Sequence, residues 1–290
     1  MAQLPAGESS VPPARWFGII DGTGPSSDGD YAHAMEGGFC SQIWNQYASG
    51  PSGNYQRGPS GSGSGLANAV NAILTDMAAL PDETKIVLVG YSRGALGCVM
   101  AARSLKSSQP QKTIEAALLF DPVDRYLAGG WGSGNPVPPN VRHSFRLFRS
   151  YGKVLEKAFD GTMSDFGYGM NRIAKANPFR PSFGNTALDV EPGPGFAWKN
   201  HETRSYICSH GAMGGVGYRW VNWGGGSDLA AEADICRDVK RWFGQTLGIH
   251  HLALKPGLDP DNGTQELSPF FDGRPRRPGD PRVLAVLSGP

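Results

Sequence analysis

The stretch from Lys85 to Leu105 constrains this chain more than any other. Five residues that read as a buried strand, Lys85-Ile86-Val87-Leu88-Val89, run into Gly90-Tyr91-Ser92-Arg93-Gly94. A small, apolar segment with helical character, Ala95 to Leu105, follows at once. A strand that turns directly into a helix leaves almost no space at the turn. The positions two before and two after the central residue must lack side chains, and the central residue is held in a strained conformation that pushes its side chain clear of the sheet. Gly90 and Gly94 meet that demand, and Ser92 is the residue presented. The helix N-terminus behind it favours negative charge developing there, which makes Ser92 the candidate nucleophile.

The segments around this turn alternate in type. Trp16 to Ile20 is an apolar run stopped by Asp21-Gly22-Thr23-Gly24 and reads as a buried strand ending in a loop. Phe39 to Ala48 carries weak signals for a short helix and strand, and Gly50 to Gly65 reads as a Gly/Ser-rich loop. Leu66, Ala69, Val70, Ile73, Leu74, Met77 and Leu80 recur at helical spacing, with Pro81-Asp82 as the stop. Further strands are predicted at 116–120, 145–148 and 206–208, and a C-terminal helix spans Leu229 to Leu247. Such alternation implies an α/β fold with a mostly parallel sheet and helices on both faces. Gly 41 and Pro 23 are high counts, and their excess sits in 50–65, 129–139 and 256–281, so they mark long loops between core elements. The expectation is one domain over 1–290. Residues 152–203, rich in Phe, Trp, Gly and Pro, would form a lid or substrate wall, and 255–290 a Pro/Gly-rich tail.

A serine hydroxyl needs a base to become a nucleophile. Of the six histidines, only His210 stands at the C-terminal end of a predicted core strand, where catalytic groups gather in open α/β sheets. Asp121 ends the strand that follows the nucleophile helix. Its carboxylate would hold the imidazole in the productive tautomer; Asp124, three residues on, competes for that role. The acyl oxyanion needs backbone donors. One is the amide of Arg93, directly after Ser92, and the second comes from the turn after the first strand, at Gly22 or Thr23. Asp21 is expected to order that turn.

Several of these motifs together resemble one family. Ile20-Asp21-Gly22-Thr23-Gly24, Tyr55-Gln56-Arg57-Gly58-Pro59, Gly90-Tyr91-Ser92-Arg93-Gly94-Ala95, Phe120-Asp121-Pro122-Val123 and Ser209-His210-Gly211-Ala212-Met213-Gly214-Gly215 follow the order and spacing of a group of α/β-hydrolases. That group includes lipase effectors of the bacterial type VI secretion system. The resemblance spans roughly residues 16 to 220 as islands and implies an α/β-hydrolase fold with Ser92, Asp121 and His210 as its triad. The family often carries an acidic residue two after the histidine, where this chain has Ala212.

Other chemistry fits less well. A net charge of +1 supplies no global field for nucleic acid. No apolar run is long enough to span a bilayer, which leaves at most transient contact with a membrane surface. The start MAQLPAGESS lacks the pattern of a secretory signal, so a cytoplasmic location or export by a route without a signal peptide is expected. The run Gly58 to Gly65 lacks the Lys-Ser/Thr of a phosphate loop, no His/Cys cluster has metal-ligand spacing, and no cofactor is expected. The expected function is carboxylic ester hydrolysis through an acyl-serine intermediate, with a lipid-like substrate first. A small-ester or thioester hydrolase is the alternative, and a non-catalytic binding module on the same fold is the reading from another class.

Overall fold

The computed structural model describes residues 15–35, 37–48, 52–124, 135–150, 186–187, 189–193, 201–207, 210–216 and 233–249. Among these residues six strands form one sheet: β1 (Arg15–Ile20), β2 (Gly53–Gln56), β3 (Lys85–Tyr91), β4 (Ile114–Phe120), β5 (Val141–Ser150) and β6 (His201–Ile207). Their spatial order is β2-β1-β3-β4-β5-β6, and every neighbouring pair is parallel. The period-two geometry of a strand splits the apolar runs between two cores. Phe17 and Ile19 of β1 and Val87 and Val89 of β3 face one cluster. Trp16 and Ile20 of β1 and Ile86 and Leu88 of β3 face the other.

Helices cover both faces, as an all-parallel sheet requires. On the second face lie α3 (Leu66–Ala79) and α4 (Arg93–Ser108), which pack on each other and on β1 and β3. On the first lie α1 (Asp28–Met35), α2 (Phe39–Ile43), which runs on into a π-helical turn at Trp44–Ala48, α5 (His210–Gly214) and α6 (Ala233–Ile249). Phe39 of α2, Phe120 of β4 and Phe243 of α6 meet with ring centroids 5.4–5.9 Å apart and join the three elements. The C-terminus of α3 is held by the buried Lys112 ammonium, which donates to the carbonyls of Met77, Ala78 and Leu80 at 3.1, 2.8 and 2.5 Å. A cation there offsets the orphaned carbonyls and the negative end of the helix dipole.

Three elements depart from the sequence expectation. β2 lies inside the stretch read as a loop; it is a four-residue edge strand with a single aromatic, too short to show a period. α1 also falls where a loop was expected, because the buried side chains described on it, Tyr31 and Met35, stand just one turn apart. β6 begins at His201, inside the predicted insertion, and its residues HETRSYI are polar because it too is an edge.

Strand order reverses at β1 and β3: the chain leaves β1 for β2 on one side and leaves β3 for β4 on the other. Crevices outside the carboxyl ends of strands open at such a point, and the turns after β1 and β3 flank this one.

Candidate active site

Ser92 sits at φ 57° and ψ −126°, between β3 and α4. A serine at positive φ costs on the order of 1–3 kcal/mol and persists only where its surroundings impose it. Here they do. A Cβ on Gly90 would lie 2.5 Å from Ala95 Cα, and one on Gly94 would strike the carbonyl oxygens of Ile20 and Asp21. The two glycines thus let α4 start hard against β3 and the end of β1. The Ser92 amide donates to Phe120 O (3.0 Å), and Val123 N donates to Ser92 O (3.0 Å), so the turn is fastened to the end of β4 on both sides of Asp121.

Asp121 itself adopts φ 42°, a region that Asp tolerates better than most residues, and its amide donates to Leu147 O of β5 at 2.8 Å. Its carboxylate is fully buried, with Oδ2 at 2.6 Å from His210 Nδ1. His210 Nε2 lies 2.8 Å from Ser92 Oγ. His210 opens α5, and the Tyr91 hydroxyl donates to its carbonyl at 2.9 Å while the two rings lie 4.9 Å apart. Gly214, on the same short helix, leaves the space that the Tyr91 ring fills. The residue before the serine therefore seats the histidine.

The rival carboxylate, Asp124, is buried without touching His210. Its Oδ2 has no hydrogen-bond partner among the described residues, and burial pushes its carboxyl above the usual range. Among the other histidines, His201 lies on β6 and bonds Ser144 (2.9 Å), and His143 stacks beside Phe145 on β5.

On the side of β1, the Gly22 amide donates to Asp21 Oδ1 at 2.7 Å. That contact removes Gly22 from the pair of residues expected to offer a free amide and leaves Thr23, whose amide meets no acceptor among the described residues. Asp21 orders the turn, as expected: it is fully buried and also accepts from the Tyr55 hydroxyl at 2.5 Å. Burial raises its carboxyl above the ordinary value, against the pull of hydrogen bonds from Tyr55, Gly22 and Cys40. Arg93, the first residue of α4, is buried. Its guanidinium donates to the carbonyls of Ser60 (3.4 Å) and Gly61 (3.0 Å), which ties the Gly/Ser loop to the helix that starts at the serine. Beyond that loop lies a polar cleft of about 490 Å³ bounded by Arg57, Ser60, Ser64 and Asn68.

Of the predicted insertion 152–203, the described residues 186–187 and 189–193 pack along α4. Val190 bridges to Val137, and Glu191 pairs with Arg103 and Lys106, about 15 Å along α4 from its first turn. The aromatic residues expected to cover Ser92 (Phe159, Phe166, Phe179, Phe183, Phe196 and Trp198) lie outside the described residues, as does the tail 255–290. Among the described residues no cluster has metal-ligand geometry, and no helix is long and apolar enough to cross a membrane. Cys40 and Cys98 are free and buried, and Cys236 is buried as well.

No protein-family model matches the chain, and no curated protein matches it. Among solved structures it is similar to a metagenomic carboxyl esterase, with 13% identity, 73% of this chain and 68% of the other covered, and a TM-score of 0.34.

Proposed function

We propose that the protein is a serine hydrolase of the α/β-hydrolase type that cleaves carboxylic esters through an acyl-serine intermediate. The observation that carries this reading is the continuous hydrogen-bonded chain Asp121–His210–Ser92 at a strained strand-to-helix turn. In it, His210 Nε2 accepts the Ser92 proton as Oγ attacks the ester carbonyl, while Nδ1–H donates to Asp121, which orients the ring and stabilises the imidazolium. The amides of Arg93 and Thr23 receive the oxyanion. His210 then returns the proton to the departing alcohol, and water repeats the sequence on the acyl-enzyme to release the acid.

A lipid-like acyl chain is the first choice of substrate, on the aromatic-rich composition of 152–203. The alternative is a small-ester or thioester hydrolase, whose acyl group needs no long apolar wall. A series of chromogenic esters of rising acyl length separates them, since burial of each added CH₂ contributes about 0.8 kcal/mol only where an apolar wall receives it.

The test of the core reading is covalent labelling with a fluorophosphonate followed by peptide mapping. Label on Ser92, absent from Ser92→Ala together with a fall in esterase activity of about 10⁶, is the expected result. Esterase activity that survives Ser92→Ala would overturn it.

A further inference from the structure

Tyr31 sits on α1, outside the triad and outside every motif that marks it. The α1 helix is capped by Ser27, whose Oγ accepts from the Asp30 amide at 3.1 Å and donates to Asp30 Oδ2 at 2.8 Å. One turn in, the Tyr31 ring is held on two sides. The Arg57 guanidinium lies 4.5 Å from its centroid, and a Cβ on Gly24 would come within 2.5 Å of its edge. Arg57 is itself fastened to the carbonyls of Pro25 and Ser26 and to the Asp28 carboxylate. The hydroxyl of so confined a ring has one place to be. It donates to Gly22 O at 2.7 Å and accepts from the Gly58 amide at 2.6 Å.

That contact determines more than the carbonyl. The Gly22 carbonyl and the Thr23 amide belong to one planar trans peptide, so they point in opposite directions. Holding one aims the other. At its other end Gly22 is held as well, because its own amide is spent on Asp21 Oδ1. With both polar groups of Gly22 tied, the peptide that follows cannot rotate without breaking a buried hydrogen bond. The Thr23 amide is left facing away from Tyr31 with no acceptor among the described residues, at the switch point beside Ser92.

We infer that Tyr31 is a positioning residue of the oxyanion hole: its hydroxyl, acting through the Gly22 carbonyl and with Asp21 as counter-anchor, fixes the direction in which Thr23 donates. The inference rests on the serine hydrolase reading. An oxyanion donor acts only if it is aimed before the charge develops, and removing one costs about 10²–10³ in kcat. Loosening its aim costs less. Tyr31→Phe should therefore lower kcat by about tenfold to a hundredfold with KM unchanged. An alkylboronic acid, which forms a tetrahedral anionic adduct on serine, should lose affinity by a similar factor, while a carboxylic acid product should bind as before. Tyr47→Phe, which removes a hydroxyl from the same core but outside this chain of contacts, should leave kcat within about threefold.

Should Tyr31→Phe fail to fold, the counter-anchor carries the test. The kcat per folded enzyme should fall in the order wild type, Asp21→Asn, Asp21→Ala at constant KM, because Asn retains an acceptor for the Gly22 amide. Unchanged kcat in Tyr31→Phe, or equal kcat in the two Asp21 variants, would overturn the inference and leave the hydrolase reading in place. A wild-type protein that neither hydrolyses esters nor takes the fluorophosphonate label would bring down both.

Discussion

Gly90→Ala isolates the steric logic of the strand-to-helix turn, because it adds one methyl group and changes no charge or hydrogen bond. The new Cβ would stand 2.5 Å from Ala95 Cα, 2.7 Å from Ala95 N and 2.9 Å from Gly94 C, all of them backbone. No side chain can swing aside, so the start of α4 would have to retreat by about 0.9 Å to reach ordinary contact at 3.4 Å. Overpacking of this kind costs about 1–3 kcal/mol, and a backbone-only clash belongs near the top of that range. The effect on catalysis should be larger in proportion. The same shift would move Ser92 Oγ relative to His210 Nε2, now 2.8 Å away, and a misplacement near 1 Å costs about 10² in rate. Urea denaturation would read the first quantity, and kcat on a chromogenic ester, normalised to folded protein, the second. A variant that folds within about 0.5 kcal/mol of wild type and keeps kcat within threefold would refute the argument that Gly90 sets the seat of the helix.

Asp121→Asn should lower kcat by about 10⁴ by favouring the wrong histidine tautomer, whereas Asp124→Asn should cost less than about threefold, since Asp124 does not touch the ring. The reverse order, read from kcat of the two purified variants, would move the acid by one turn. Asp21 makes a prediction in pH. Its native carboxyl lies above the ordinary 3.8, so the folded state holds the proton more tightly than the unfolded chain. Stability should then be lost as pH rises from about 3.8 through the raised native value. The difference in Tm between Asp21→Asn and wild type should grow across that interval, and a difference that stays flat or shrinks would show that Asp21 is not held above its ordinary value.

The central strands and the serine turn were legible because their signals are local. Val87 and Val89, Phe17 and Ile19 alternate within runs that have no other reading, and Gly90 and Gly94 stand two residues from Ser92. The structure brings His210 and Asp121 to Ser92 from the strand ends where the sequence placed them. What could not be read is whatever depends on the direction of a single peptide. Gly22 and Thr23 were equal candidates until the Asp21 carboxylate was seen to occupy the Gly22 amide. Helix α1 was missed although Ser27-x-x-Asp30 is a capping signature, because one turn of buried spacing is too little to establish a helical period. β2 and the first part of β6, ahead of the strand expected at 206–208, escaped for the opposite reason: edge strands half exposed to water carry no pressure toward an apolar alternation.

The division of the interior into two cores has a consequence for when this protein can act. Ser92 is delivered by α4 from one face of the sheet, and His210 by α5 from the other, 118 residues later in the chain. Neither layer holds a working set of groups alone. A ribosome must therefore release most of the polypeptide, including the helix at Ala233–Ile249 that packs behind His210, before the serine acquires its base. On the serine hydrolase reading, a nascent or half-assembled chain therefore carries an inert hydroxyl, and the cell that makes the protein meets that chemistry only once both layers have closed.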